Sequence, residues 1–146
     1  MDFFSSMDIS SSALTAERTR MNLISSNLAN ANSTRTAEGG PYKRKDAVFA
    51  TAQPQTGSFG AALERAAQKG GQRVQVVQIV EDQNPPRLQY DPSHPDADAQ
   101  GYVAFPNVNV VEEMADMIAS SRTYEANVTA VQATKSMAMK TLEIGK

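Results

Sequence analysis

The sequence predicts an α+β fold: long N- and C-terminal α-helices forming a coiled-coil-like pair, with a small β-rich middle region. Three observations carry the prediction. All 7 Pro and 7 of the 8 Gly lie between residues 39 and 106. Apolar residues repeat with a heptad period at both ends. Short β-branched runs occur only between them. Pro and Gly disfavour helix interiors by about 3 and 1 kcal/mol, so 1–38 and 107–144 can each run as an unbroken helix. The chain divides accordingly. Residues 1–35 are an N-terminal helix and Asn-rich turn. Residues 36–106 are a β-rich region with a variable, mobile insertion at 53–72. Residues 107–146 are a long C-terminal helix.

The N-terminal arm repeats every seven residues, at Met7, Leu14, Met21 and Leu28. Phe4 and Ile24 flank that line at helical spacing. The intervening positions, Ser11, Arg18 and Ser25, are weak, so this arm is the poorer helix former of the two. A helix from about Ser5 or Asp8 to about Asn30 is expected. Its end is dense in Asn (Asn22, Asn27, Asn30, Asn32), a residue that suits caps and left-handed turns better than helix interiors.

In the middle, residues 42–52 and 73–81 read as strands. Arg73–Val80 is β-branched and roughly alternating. Arg87–Tyr90 and Tyr102–Phe105 are shorter strand candidates joined by a loop rich in Pro and Asp. Pro85 and Pro86 separate the two hairpin-like halves. Residues 53–72 are rich in Gln, Ala and Gly, with a short helix expected at Phe59–Gln68.

The C-terminal arm carries the strongest periodicity. A 4–3 alternation runs through Val110, Met114, Met117, Ser121, Tyr124, Val128, Val131, Lys135, Ala138 and Leu142. A sustained 3.5-residue repeat keeps one stripe facing a partner helix. Polar Ser121 and Lys135 would set register. A single helix over 109–144 would be about 54 Å long. A compact globule of this size is roughly 38 Å across, so the helix overhangs its own domain. Asn107 or Asn109 can cap its start. Glu112, Glu113 and Asp116 near that start, and Lys140 near the end, suit the helix dipole. Gly145 is a natural stop.

Composition narrows the function. Leu, Ile, Val and Phe total 27 residues, against 21 Ala. That is thin for a self-sufficient core, and partners that supply burial are expected. Net charge is −2, spread as −1, 0 and −1 over the three segments. No basic face marks a nucleic-acid site, and Lys43-Arg44-Lys45 reads as a solvated strand end. Absence of Cys excludes disulfides, thiol catalysis and Cys-ligated metal. No basic segment followed by an apolar core marks a cleavable signal, and no run reaches the roughly 20 apolar residues of a membrane span.

No catalytic, cofactor-binding or metal residues are assigned. His94, the single histidine, sits between Pro92 and Pro95 without triad partners, and a solvated loop position is expected for it. Asp96–Gly101 mimics the start of a calcium loop, but Gln100 and Asn107 fall where the fifth and twelfth ligands should be. Gly57 and Gly60 lack the Lys and Ser/Thr of a phosphate loop.

Two stretches resemble a known family. Ser25-Ser26-Asn27-Leu28-Ala29-Asn30-Ala31-Asn32-Ser33 is similar to the N-terminal signature of bacterial flagellar rod and hook axial proteins. Gly101-Tyr102-Val103-Ala104-Phe105-Pro106-Asn107-Val108-Asn109-Val110-Val111-Glu112-Glu113-Met114, continuing through Ser121–Asn127, Lys135–Met137 and Lys140–Leu142, is similar to the C-terminal one. The motif residues are Asn27, Leu28, Ala29, Asn30, Gly101, Tyr102, Pro106, Asn107 and Val108.

The resemblance implies a non-enzymatic subunit of the basal-body rod, the helical drive shaft that carries torque from motor to hook. It implies export by the flagellar type III apparatus without a cleaved signal, and a place in the rod across the periplasm. The implied partners are other rod subunits and further copies of the chain in a helical assembly, with no nucleic acid, small-molecule substrate, cofactor or membrane span. The short middle, about 68 residues, favours a proximal rod subunit over distal rod and hook proteins. The subunit-packing seam would be Met7, Leu14, Met21, Leu28, Val110, Met114, Met117, Tyr124, Val128, Val131 and Leu142. Phe3 and Met7 have the spacing of the family's export signal. The alternatives are a cytosolic coiled-coil adaptor and another rod subunit of the same family.

Overall fold

The computed structural model describes residues 3–51 and 72–144. Helix α1 (Phe3–Ala29) and helix α2 (Val110–Ile144) bracket four strands: β1 (Lys45–Thr51), β2 (Val74–Glu81), β3 (Arg87–Tyr90) and β4 (Tyr102–Phe105). The insertion expected at 53–72, with its short helix, falls almost wholly outside the described residues, as does Gly145.

The helices have 27 and 35 residues, or about 40 and 52 Å. They pack along one another. Two cross-links set their direction. Asn27 meets Glu113, and Glu17 meets Ser120, so the pair is antiparallel. By that register Phe3 stands level with a residue near Thr134–Met137, and the end of α2 projects beyond α1.

α1 begins earlier than Ser5 or Asp8. No helix breaker precedes them, and Asp8 turns its carboxylate to Arg73 instead of capping a helix end. Its many hydroxyls are absorbed within the helix. Ser10, Thr15 and Thr19 donate to carbonyls one turn back at 3.0–3.2 Å, which satisfies them without breaking the ladder. The Asn-rich end uses no left-handed asparagine, since positive φ occurs only at Gly39, Gly40 and Gly101 among the described residues. Instead Asn30 Nδ2 donates to the Ser26 carbonyl at 2.9 Å and Ser33 Oγ donates to Asn30 Oδ1 at 3.2 Å. Side-chain capping replaces a strained backbone. At α2, Asn109 is the cap: its Oδ1 accepts from Val111 N at 3.2 Å and its carbonyl from Glu113 N at 3.0 Å.

The strands form two antiparallel pairs, β1 with β2 and β3 with β4, with Pro85 and Pro86 between them. A bulge at Val77 interrupts the first pair, so Val48 faces Gln78 but Phe49 faces Val76. This ribbon lies against α1, tied by Ser12 Oγ accepting from Val74 N at 3.1 Å. Gly101 turns the chain into β4 with φ +84°, and a Cβ there would stand 2.9 Å from the Tyr90 ring. Tyr90 in turn meets Tyr102 edge-on at 5.4 Å.

Candidate assembly interface

Among the described residues, three of the four large side chains that are fully buried are polar, Val103 being the fourth. Asn27 and Glu113 are each 1 % exposed, and they join three elements. An amide offers two donors and two acceptor lone pairs, and Asn27 uses all four. Its Nδ2 donates to the Lys45 carbonyl at 2.9 Å and to Glu113 Oε2 at 3.1 Å. Its Oδ1 accepts from Lys45 N and from the Tyr42 hydroxyl, both at 2.9 Å. The first and third of these bonds mimic a strand pairing, so the last turns of α1 hold the start of β1 as a neighbouring strand would.

Glu113 completes the node. Its Oε1 accepts from Arg44 Nε at 2.5 Å. The guanidinium also reaches Asp46 at 3.4 Å and Asp116 at 3.9 Å. Partial burial pulls the Arg44 pKa down, but the hydrogen bond and charge of Glu113, with Asp46 adding to them, leave it above its ordinary value. A buried carboxylate is tolerated only with such pairing, and no buried side-chain polar atom lacks a partner among the described residues. Two helical turns further along α2, Ser120 Oγ donates to Glu17 Oε2 at 2.6 Å.

The apolar residues are arranged the other way. Only Ala16, Ile24, Ala31 and Val103 are buried apolar residues among those described, whereas fifteen large apolar side chains are exposed. The face of α2 turned inward runs through Glu113, Met117, Ser120, Tyr124, Asn127, Val131, Thr134 and Ala138, each buried or half-buried. It keeps a 4–3 spacing. It shares Met117, Tyr124, Val131 and Ala138 with the expected seam, and alternates them with polar residues. Of the other seam residues, Met7, Leu14, Met21, Leu28 and Val128 are half-buried within the single chain. Val110, Met114 and Leu142 are exposed. The side chain of Phe3 lies outside the described residues.

The motif residues fall at the end of α1 and on the approach to α2. Asn27, Leu28, Ala29 and Asn30 close α1, while Gly101, Tyr102, Pro106, Asn107 and Val108 lead into α2. Pro106 is buried and Asn107 exposed. An open cavity of about 340 Å³ lies there, lined by Ala31, Asn32, Arg87 and residues 106–111.

Two local expectations need correction. Arg44 was expected in a solvated basic run, but from its place just before β1 it reaches Glu113. Glu113 does lie in the first turn of α2, where it suits the helix dipole, and it is also buried, with Asn27 of α1 on one side and Arg44 on the other. His94 is half-buried rather than solvated: its ring meets Phe105 edge-on at 6.1 Å, and its Nδ1 accepts from Asp96 N at 3.1 Å. Nearby, the Ser93 hydroxyl, the Ser93 backbone N–H and the charge of His94 hold the Asp91 carboxyl below the usual range. Asp98 accepts from Gln100 N and Tyr102 N, and Asp96 accepts from the Thr34 hydroxyl at 2.8 Å. The acidic loop thus uses its carboxylates in local turns. Among the described residues no group of three acidic or His side chains converges as a metal site, and no helix is long and apolar enough to cross a membrane.

Comparison with known proteins finds related sequences at both ends of the chain. Residues 7–35 match the family model "Flagella basal body rod protein". Residues 99–144 match "Flagellar basal body rod FlgEFG protein C-terminal". Over nearly its whole length the chain is similar to proteins named flagellar basal-body rod protein FlgC. The Bacillus subtilis protein is 47 % identical over 153 residues, covering 100 % of both chains. The Borreliella burgdorferi protein is 45 % identical over 149 residues, covering 99 % of this chain and 98 % of its own. The Aquifex aeolicus protein is 40 % identical over 146 residues, covering 100 % and 99 %. Their shared identity across both arms and the middle is far above what a common fold alone requires, and the chain belongs to the FlgC family of flagellar basal-body rod proteins.

Proposed function

We infer that this chain is a structural, non-enzymatic subunit of the flagellar basal-body rod, as the name of its family states. In this reading it polymerises with other rod subunits, and with its own copies, into the helical shaft that carries torque from motor to hook. The observation that carries the reading is the inversion of burial. A polar node closes the single chain, while fifteen large apolar side chains among the described residues are left for neighbours to cover. Exposed apolar surface on this scale marks interaction sites. The relatives give no support to a cytosolic adaptor.

The two helices would pair as a coiled coil and line the shaft, with the strands outside. The packing residues would be Met7, Leu14, Met21, Leu28, Val110, Met114, Met117, Tyr124, Val128, Val131 and Leu142. The chain would cross the type III export channel unfolded, with Phe3 and Met7 as its recognition signal, and assemble across the periplasm. The absence of Cys and the thin core suit a chain that must pass unfolded and then be completed by partners.

Val128→Asp tests the reading. It would bury an unpaired charge in the assembled shaft, so cells carrying it should export the chain yet fail to swim, with basal bodies that lack a rod. Normal swimming would overturn the assignment of α2 to the packing seam.

A further inference from the structure

We propose that Met137 and Met139 are an oxidation checkpoint: a peroxide converts them to sulfoxides on the free chain, and the sulfoxides keep that chain out of the shaft. The proposal rests on the rod-subunit reading and adds a modification site to it. Met137 is 61 % exposed and Met139 55 %. In the register set by Asn27–Glu113 and Glu17–Ser120, Met137 stands level with the start of α1 and Met139 lies past it. Met114, near the start of α2, is also exposed, whereas Met7, Met21 and Met117 are half-buried. The chain has no Cys, so no thiolate competes for the oxidant, and the open thioethers are the next targets.

The reaction balances with hydrogen peroxide as the oxidant. The thioether sulfur attacks one peroxide oxygen and an S=O bond forms as the O–O bond breaks. The sulfur gives up two electrons. The second oxygen takes the remaining proton of the first and leaves as water. An apolar, flexible side chain becomes a polar one. On the free chain that change is silent, because the new oxygen is solvated and no packed contact is lost. Once neighbours cover the site, the same oxygen loses its water without gaining a partner, which is unfavourable. The lesion therefore acts on assembly and not on the fold. Methionine sulfoxide reductases reverse it, and at exposed side chains they can restore the free chain before it is used.

Peroxide treatment of the purified chain, followed by digestion and mass spectrometry, tests the first half. Met114, Met137 and Met139 should oxidise ahead of Met7, Met21 and Met117, and the urea midpoint should hold while only the first three are modified. Equal rates at all six, or a midpoint that falls with the first sulfoxides, would overturn the proposal. For the second half, a chain carrying Met137→Gln and Met139→Gln, whose amides imitate sulfoxides in size and polarity, is expressed beside the native chain. Mass spectrometry compares their ratio in purified basal bodies with that in whole cells. The Gln chain should be depleted about tenfold in basal bodies. A chain with Met137→Leu and Met139→Leu should be retained better, because its side chains stay apolar. Equal incorporation of the Gln and native chains, or equal depletion of the Gln and Leu chains, overturns the checkpoint, as does a lowered urea midpoint of the Gln chain. Absence of the native chain from basal bodies would instead count against the rod reading itself.

Discussion

The two ends of the helix pair are built on opposite principles. At the base, where α1 ends and α2 begins, the polar groups Asn27, Glu113 and Ser120 are each about 1 % exposed, and Ile24 and Ala31 are buried with them. At the tip, residues 5–15 and 121–143, no residue is fully buried, and Met137, Met139 and Leu142 stand open. In a self-sufficient monomer the apolar side chains are inside and the polar ones are not. Here the directional bonds are made within the chain, where their geometry can be fixed. Non-directional apolar contact is left to the surface, where any well-shaped neighbour can supply it. The base is closed by bonds within the chain; the tip leaves apolar side chains open.

The sharpest way to break this contrast is to unpair the base. Arg44→Ala leaves the Glu113 carboxylate buried beside Asn27 with no cation, and losing one partner of a buried pair costs about 3–5 kcal/mol. Urea unfolding of the monomer followed by circular dichroism should show a loss of that size. Arg44→Lys should recover only part of it, because one ammonium cannot hold Glu113, Asp46 and Asp116 together as a planar fork does. A loss below about 1 kcal/mol would mean the base is no more than a solvated ion pair.

Asn27→Ala strikes the same node from the other helix. It strips partners from Lys45 N–H, the Lys45 carbonyl, the Tyr42 hydroxyl and Glu113 at once. Each buried group left unsatisfied costs about 1–3 kcal/mol, and water can reach some of them, so a net loss of about 2–4 kcal/mol is expected by the same urea measurement. Loss of β1 amide protection should accompany it. Should β1 remain protected, Asn27 is not what holds the ribbon to the helices.

Gly101→Ala tests a separate element, the turn into β4. It places a side chain at φ +84°, 2.9 Å from the Tyr90 ring. Left-handed backbone costs an L-residue about 1–2 kcal/mol, and the Tyr90 ring must also move. A midpoint shift matching that range is expected, confined to the β3–β4 amides.

The contrast also explains what could be read from the residues alone. The partition by Pro and Gly, and the β-branched runs, are local signals, so both helices and all four strands fall close to their expected places. Asn27 stood out in its motif, but the Asn cluster pointed to caps and turns, and only Asn30 serves in that way. Arg44 and Glu113 are 69 positions apart, and nothing in either neighbourhood marks one as the partner of the other. The heptad in α2 was legible as a period, yet two stripes share that period. One is turned to α1 and holds Glu113, Ser120, Asn127 and Thr134. The other holds Val110, Met114 and Val128. Hydrophobicity alone selects the second, because it does not distinguish residues saved for a neighbour from residues packed at home.

The smallest expected effect is therefore the most informative. Met137→Ser removes a large apolar side chain from the tip, where it is 61 % exposed. A surface change of this kind shifts monomer stability by about 0.5 kcal/mol or less, so the urea midpoint should barely move. Amide exchange of the monomer should already be graded, slow for residues near Ile24 and Ser120 and fast beyond Tyr124, because opening is cheapest where few groups are buried. If the tip exists for its neighbours, Met137→Ser should still slow swimming and lower the yield of intact rods. The unassembled chain would lose almost nothing, and the assembly would lose a contact on every subunit. Equal protection of base and tip in the monomer, or unimpaired rods from Met137→Ser, would show that the tip is solvated in the shaft as well. The exposed methionines would then be a consequence of the overhang and not its purpose.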